Sequence, residues 1–338
     1  MQAIVYSEYG SPADLKLAEI EQPAVGADDV LVRVGAASVN PFDWHAIRGQ
    51  PYVGRLLGMG FRRPKHSRKG IDVAGTVETV GENVTALRPG DEVFGTVHGA
   101  FAEYVAGTEQ DFVAKPARLT FEQVAAIPMA GITALQALRD RGATQAGQRL
   151  LINGAAGGVG TFAVQIATAL GAEVTGVCST RNMDLVRSLG AGHVVDYTAD
   201  DFTRNGLEYD LIIDTVGNHT LTQLRRALTP TGTLVIVGGQ GGRLVGALAQ
   251  LPKSLVLDRL VAQRLTRLFA NLRNEDLVVL RELVDDGEVT PVIDRVYPLR
   301  ETGDAISYVE AGHARGKVVI TMSGPPADPD GVLAAAPR

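Results

Sequence analysis

Within this chain of 338 residues, one stretch has the residue types and spacing to hold a phosphate. Leu150-Leu151-Ile152-Asn153-Gly154-Ala155-Ala156-Gly157-Gly158-Val159-Gly160 is an apolar run ending in a glycine turn, and Thr161 to Ala167 continue as a helix. Amides at a helix N-terminus, aided by the helix dipole, bind phosphate. A β-carbon at Gly157 or Gly158 would hold a pyrophosphate off those amides, while Gly160 lets the helix pack close. Strand, loop and helix stand in the order a dinucleotide site requires. The next apolar run, Val174–Cys178, passes into Ser179-Thr180-Arg181-Asn182 with no acid. A carboxylate there would accept from a ribose 2′-hydroxyl, whereas two hydroxyls and a guanidinium donate to a 2′-phosphate, so NADPH is expected over NADH.

Such a loop works only when a parallel sheet presents it. The short apolar segments Arg149–Asn153, Glu173–Cys178, His193–Asp196, Leu211–Asp214 and Thr233–Val237 are expected to be strands buried on both faces, with helices between them. A helix is expected around Ala130–Arg139. From residue 1 to about 120 the segments are short, valine-rich and broken by glycine or proline, as in Val30–Val34 and Gly75–Gly81, the cadence of a small β-domain. That domain resumes after Asn274 with a helix over Glu275–Asp286, an extended Val292–Tyr297 and a strand over Lys317–Thr321. The expected division is 1–123, 124–274 and 275–322, with a disordered tail over 323–338. Residues 255–272 space Leu257, Val261, Leu265, Leu268 and Leu272 by three or four, with Arg259, Arg264, Arg267 and Arg273 interleaved. That pattern predicts an amphipathic helix on the sheet or at a homodimer interface, with a membrane-surface helix as the alternative.

A formal net charge of −6 with scattered basic residues speaks against nucleic acid. The single cysteine, Cys178, excludes an internal disulfide and every multi-cysteine zinc site, and the six histidines show no i, i+4 pair. Met1–Tyr6 lack a leader-like pattern and no apolar stretch is long enough to span a bilayer, so a cytoplasmic protein without membrane partners is expected.

The glycine loop, with Asn40-Pro41-Phe42-Asp43-Trp44, Gly70–Val77, Arg88–Gly95, Ala130–Leu138 and Asp214-Thr215-Val216-Gly217, resembles the medium-chain dehydrogenase/reductase superfamily over residues 1–322, in its quinone oxidoreductase branch. The resemblance implies an α/β chain, a GroES-like β-rich domain carrying an inserted Rossmann doubly wound parallel sheet, with a cleft between them where nicotinamide meets a small electrophilic substrate. It implies cofactor contacts at Phe42, Thr133, Ala156, Gly157, Gly158, Val159, Ser179, Thr180, Arg181, Tyr197, Val216, Gly217, Gly238 and Gly239, Tyr197 lying near the 2′-phosphate.

In similar zinc alcohol dehydrogenases a Cys-Gly-x-Asp/Ser-x-His motif falls where Asn40–His45 stand, and Gly-His-Glu falls on Gly70-Ile71-Asp72. Amide replaces thiolate, an aliphatic chain replaces imidazole, and only five residues separate Gly95 from Phe101 where a four-cysteine lobe would lie, so no metal is expected. Without a Lewis acid, an already electrophilic enone or quinone is the better substrate. Hydride would pass from nicotinamide C4 to the β-carbon, and the enolate oxygen would need only hydrogen-bond donors. Asn40 is the candidate for orienting nicotinamide or substrate, or else it caps the turn before Pro41. Tyr52, one residue beyond the catalytic tyrosine of similar enoyl-thioester reductases, is the candidate proton donor or a surface residue. Asp43 and His45 are expected to be structural. The run Arg62-Arg63-Pro64-Lys65-His66-Ser67-Arg68-Lys69 is a solvated loop or an anion-steering rim for a substrate such as an acyl-CoA. An NADPH-dependent reductase of enones or quinones is thus expected, with an enoyl-thioester reductase and a non-catalytic NADPH-binding protein as alternatives.

Overall fold

A computed structural model describes residues 1–50, 52, 55, 60–237 and 262–322. Backbone contacts divide the chain into two units, Met1–Ala130 together with the segment beginning at Leu272, and Gly131–Asn271.

Alternating apolar residues build the first unit. β1 (Gln2–Val5) and β2 (Lys16–Glu19) form a two-stranded antiparallel ribbon. β3 (Asp29–Val39) is followed by α1 (Pro41–Arg48), β4 (Asp72–Val80), β5 (Glu92–Thr96), β6 (Tyr104–Thr108), β7 (Phe112–Ala114) and α2 (Phe121–Ala125). α3 (Pro128–Gln136) runs on into the second unit, which begins at Gly131, and ends in a π-helical turn over Ala137–Gly142.

The second unit contains β8 (Arg149–Asn153), α4 (Gly158–Ala169), β9 (Glu173–Cys178), α5 (Met183–Ser188), β10 (His193–Asp196), β11 (Tyr209–Asp214), α6 (Leu221–Arg226), β12 (Leu228–Ile236) and β13 (Arg264–Arg267). The chain then returns to the first unit through α7 (Asn274–Asp285), β14 (Ile293–Pro298), α8 (Thr302–Glu310) and β15 (Lys317–Thr321).

In the first unit β3 is the spine of a sheet ordered β14-β15-β3-β4-β5-β7. One edge of β3 serves two partners, β6 along Asp29–Arg33 and β15 along Ala36–Val39. Its pairing with β4 shifts register at Leu31/Val32 and Val34/Ala36, bulges of the kind that bend a strand. Val32, Val34, Val73, Phe101, Val105, Ile306, Val318 and Ile320 are buried in the core.

The second unit is a wholly parallel sheet ordered β10-β9-β8-β11-β12-β13. Strand order reverses between β8 and β11, which makes their C-terminal ends the switch point where such sheets take ligands. β8, β9 and β10 have the bounds read from sequence, because a short apolar run is a local signal; β8 and β9 are buried but for their first residues, while β10 is a half-exposed edge strand.

The helix expected over 255–272 is corrected where it can be seen. Arg264–Arg267 is an edge strand parallel to β12, with Leu265 buried and Arg264 exposed. Leucines three apart fit either element over so short a span, and the open edge of β12 supplies backbone partners that a helix could not use. The argument for a homodimer seam on that helix goes with it. Residues 255–261, and the tail expected over 323–338, lie outside the described residues. No helix among the described residues is long and apolar enough to cross a membrane.

Candidate functional site

The glycine loop joins β8 to α4, and steric demands fix its shape. Gly154 has φ +88°, and a β-carbon there would lie 2.4 Å from Thr215 Oγ1. At Gly160 a β-carbon would lie 2.1 Å from the Gly154 carbonyl oxygen, so only glycine lets the helix start beneath its own loop. Gly157 differs, since an added β-carbon would find its nearest neighbour 3.4 Å away, on the Gly154 oxygen. Helix α4 starts there without a side-chain cap and without an acid in its first turn, whereas Thr120 and Thr220 cap α2 and α6. Ala156 is buried, while Gly157, Gly158 and Val159 keep some exposure. A cradle open above a glycine and uncapped amides behind it fit a dinucleotide pyrophosphate.

The loop after β11 forms the other side of the switch point. Asp214 accepts hydrogen bonds from Asn153 Nδ2 at 2.9 Å, Val216 N at 3.1 Å and Gly217 N at 3.0 Å. The two loops are thereby locked together, with Val216 and Gly217 half-buried. Gly238 and Gly239 lie outside the described residues.

At the end of β9, Ser179 is half-buried, and Thr180, Arg181 and Tyr197 are exposed. Here the structure adds an acid that the β9 sequence did not show. Parallel pairing sets Asp196 of β10 opposite Cys178, where its carboxylate accepts from the hydroxyls of Thr180 and Thr198. Those bonds hold its carboxyl below the usual range, so it is anionic at neutral pH. Thr180 is therefore engaged within the protein, and a hydrogen-bonded carboxylate stands beside the expected 2′-phosphate contacts. Burial pushes the Cys178 thiol up to about 11, which leaves it protonated and unreactive.

In the first unit, strand register assembles a buried polar cluster. Ser38 pairs with Asp72 across β3 and β4, and Val39 pairs with Val318, which brings Lys317 beside Asn40. Lys317 Nζ donates to Asn40 Oδ1 at 2.6 Å, Val39 O at 3.2 Å and Asp72 Oδ2 at 3.2 Å. Asn40 Nδ2 donates to Asp72 Oδ2 at 2.9 Å, as does Ser38 Oγ at 2.8 Å, and Met129 N donates to Asp72 Oδ1 at 3.0 Å. All four side chains are buried, Asn40 being 4% exposed and Lys317 3%. Asn40 is the N-cap residue at the first turn of α1, its carbonyl accepting from Asp43 N, while its side chain bonds the ion pair and makes no cap hydrogen bond. Asp43 stabilises that turn, accepting from Asn40 N at 2.8 Å and from Gly70 N at 3.3 Å. Complete burial, and to a lesser degree the neighbouring Asp72, push its carboxyl up to about 6.

His45 is half-buried and stacked on Trp44, and burial lowers its pKa, so it is neutral at pH 7. Tyr52 is 40% exposed, and its ring lies 4.8 Å from the Arg55 guanidinium, which also covers Tyr9. Phe42 is 47% exposed in the first turn of α1, and Thr133 is buried in α3. In the basic run Arg62, Arg63, Lys65 and His66 are exposed, but Arg68 and Lys69 are half-buried. Sequence reasoning passed over Lys317, whose only signal is a cation opening a strand whose next three residues are apolar. Ile71 stands between Gly70 and Asp72, and among the described residues no three or more His, Cys, Asp or Glu side chains are grouped to hold a metal ion.

Comparison with known proteins agrees with this architecture. Residues 26–117 match the family model described as alcohol dehydrogenase GroES-like domain, and residues 189–320 that described as zinc-binding dehydrogenase. A 2-methylene-furan-3-one reductase of Solanum lycopersicum is 33% identical over 95% of this chain and 79% of its own. An NADPH-dependent alkenal/one oxidoreductase, chloroplastic, of Arabidopsis thaliana is also 33% identical, with the same coverage of both chains. The solved structure of the quinone oxidoreductase from Coxiella burnetii superposes with a TM-score of 0.84 at 31% identity, covering 96% of this chain and 99% of that one. With a GroES-like segment, a parallel dinucleotide-binding sheet and relatives of this kind along nearly its whole length, the chain is an oxidoreductase and belongs to the medium-chain dehydrogenase/reductase superfamily, in its quinone oxidoreductase-like branch.

Proposed function

We propose that the protein is an NADPH-dependent, zinc-independent reductase of α,β-unsaturated carbonyls or quinones. The observation that carries this reading is the buried Asn40 carboxamide, held by Lys317 and Asp72 at the position where similar zinc enzymes place a thiolate ligand. An amide and the aliphatic Ile71 are poor ligands for zinc, but an amide N–H suits an oxygen that becomes negative during reaction. The names of the relatives, a methylene-furanone reductase and an alkenal/one oxidoreductase, point to conjugated carbonyls.

A reduced nicotinamide, when bound, supplies the hydride. The amides of Gly157, Gly158 and Val159 hold the pyrophosphate, and the Val216–Gly217 loop closes the other side. Ser179, Arg181 and Tyr197 hold the 2′-phosphate, with Thr180 drawn away by Asp196. Asn40 donates its remaining Nδ2–H to the substrate oxygen. Tyr52 or water delivers the proton to the α-carbon, and Tyr52→Phe decides between them: an unchanged rate removes Tyr52.

The test of the reaction is isotopic. An enone reduced with NADPH carrying deuterium at C4 should give the saturated ketone with deuterium at the β-carbon. Allylic alcohol as the main product would overturn the reading. A second reading, reduction of enoyl thioesters, is favoured by the exposed cations Arg62, Arg63 and Lys65. It requires crotonyl-CoA to be turned over better than simple enones, with an advantage that salt removes.

A further inference from the structure

We propose that Lys317 is a positioning residue for the reduction, its buried ammonium polarising the Asn40 carboxamide so that the remaining Nδ2–H grips the substrate oxygen on which charge develops. This rests on the reading of Asn40 as a donor to substrate.

The bonds of the ammonium are unevenly distributed. Its three hydrogens meet three acceptors, and the shortest contact, 2.6 Å, goes to the uncharged oxygen of Asn40, while Asp72 stands at 3.2 Å. Asp72 is saturated by other donors, taking Ser38 Oγ and Asn40 Nδ2 on one oxygen and the Met129 amide on the other. The carboxylate charge is thus spread over several donors, while the ammonium leans on the amide. Electron density drawn toward Asn40 Oδ1 makes both Nδ2 hydrogens stronger donors. One of them is spent on Asp72, and no described residue accepts the other. Burial removes the water that would otherwise weaken this arrangement.

Stability is a poor reason for such a pair. A buried ion pair recovers little more than its own desolvation cost, and packed apolar side chains often do as well. What an apolar replacement could not supply is a fixed positive charge behind an amide. A bound reduced nicotinamide would supply the hydride, its C4–H bond breaking to leave the oxidised ring as the β-carbon C–H bond forms. The C=C pair would then join the α-carbon to the carbonyl carbon, and the C=O pair would pass to the oxygen that the amide N–H meets. A proton from Tyr52 or solvent then forms the α-carbon C–H bond, the substrate having gained two electrons.

The test uses the full-length protein as Lys317→Met, Asn40→Ala and the double variant, with kcat and KM for an enone, NADPH affinity by fluorescence and thermal stability measured on each. Asn40→Ala should lower kcat about 100-fold. Lys317→Met should lower it about tenfold with NADPH affinity unchanged, and should cost nothing further when Asn40 is already alanine. A readout independent of turnover is 4-nitrophenol, a planar oxyanion mimic. Bound to the unmodified protein it should ionise at lower pH than when bound to Lys317→Met. If Lys317→Met alone fails to fold, Lys317→Met with Asp72→Asn removes both charges and takes its place. Equal losses from Lys317→Met with and without Asn40, or an unchanged kcat, would overturn the proposal. An unchanged kcat for Asn40→Ala would overturn the reading of Asn40 itself, and this one with it.

Discussion

A carboxyl taken wholly out of water holds its proton more tightly, and Asp43 shows the consequence, being pushed from 3.8 up to about 6 mainly by burial. The folded state then binds that proton more strongly than the unfolded chain. The stability tied to it is fully present below about pH 4 and is lost as pH rises through about 6. Two pKa units correspond to on the order of 3 kcal/mol. Melting temperatures measured from pH 4 to 7 should fall more in the unmodified protein than in Asp43→Asn; parallel curves would refute the assignment. At the β9 turn, Arg181 would attract a bound 2′-phosphate that the Asp196 carboxylate would repel. Arg181→Ala should weaken NADPH by about tenfold or more, at roughly 1.5–3 kcal/mol for a charged hydrogen bond, with little effect on NADH. Asp196→Asn should shift preference further toward NADPH, because it removes an anion and releases Thr180. Fluorescence titration with both nucleotides reads each effect, and equal affinity of the unmodified protein for the two would sink the NADPH assignment.

Strand, loop and helix act together at the glycine turn, where two glycines three residues apart carry different duties. Alanine at Gly160 would drive its β-carbon into the Gly154 carbonyl, which backbone alone cannot move aside. Gly160→Ala should therefore destabilise the protein by roughly 1–3 kcal/mol and weaken dinucleotide binding with it. Gly157 has φ −82° and room for a methyl group, so Gly157→Ala should keep the melting temperature within about 2 °C while weakening NADPH at least tenfold. Calorimetry beside nucleotide titration separates the two, and equal behaviour of the variants would show that the open side of Gly157 is not where phosphate sits. The same scale explains the misread segment at 264–267. Apolar spacing by three or four over 255–272 is a local signal for a helix, and at Arg264–Arg267 pairing with the edge of β12 overrode it.

For the molecule as a whole, the replacement of metal ligands by Asn40 and Ile71 predicts that prolonged chelation leaves activity intact. Stoichiometric zinc in the purified protein, with activity lost on its removal, would contradict this. What the sequence by itself determined was the parallel sheet, its glycine loop and the β-rich first unit, because apolar runs, alternation and glycine at forbidden φ act over a few residues. Only the tertiary structure decided the partners of Asn40. Lys317 lies 245 residues from Asp72, and they meet because β4 and β15 flank β3 in fixed register. Thr180 likewise appeared free to hold a phosphate until the pairing of β10 with β9 brought Asp196 beside it. Local propensity follows from a residue's immediate neighbours along the chain, whereas a buried charge takes its partner from whichever strand the sheet places next to it.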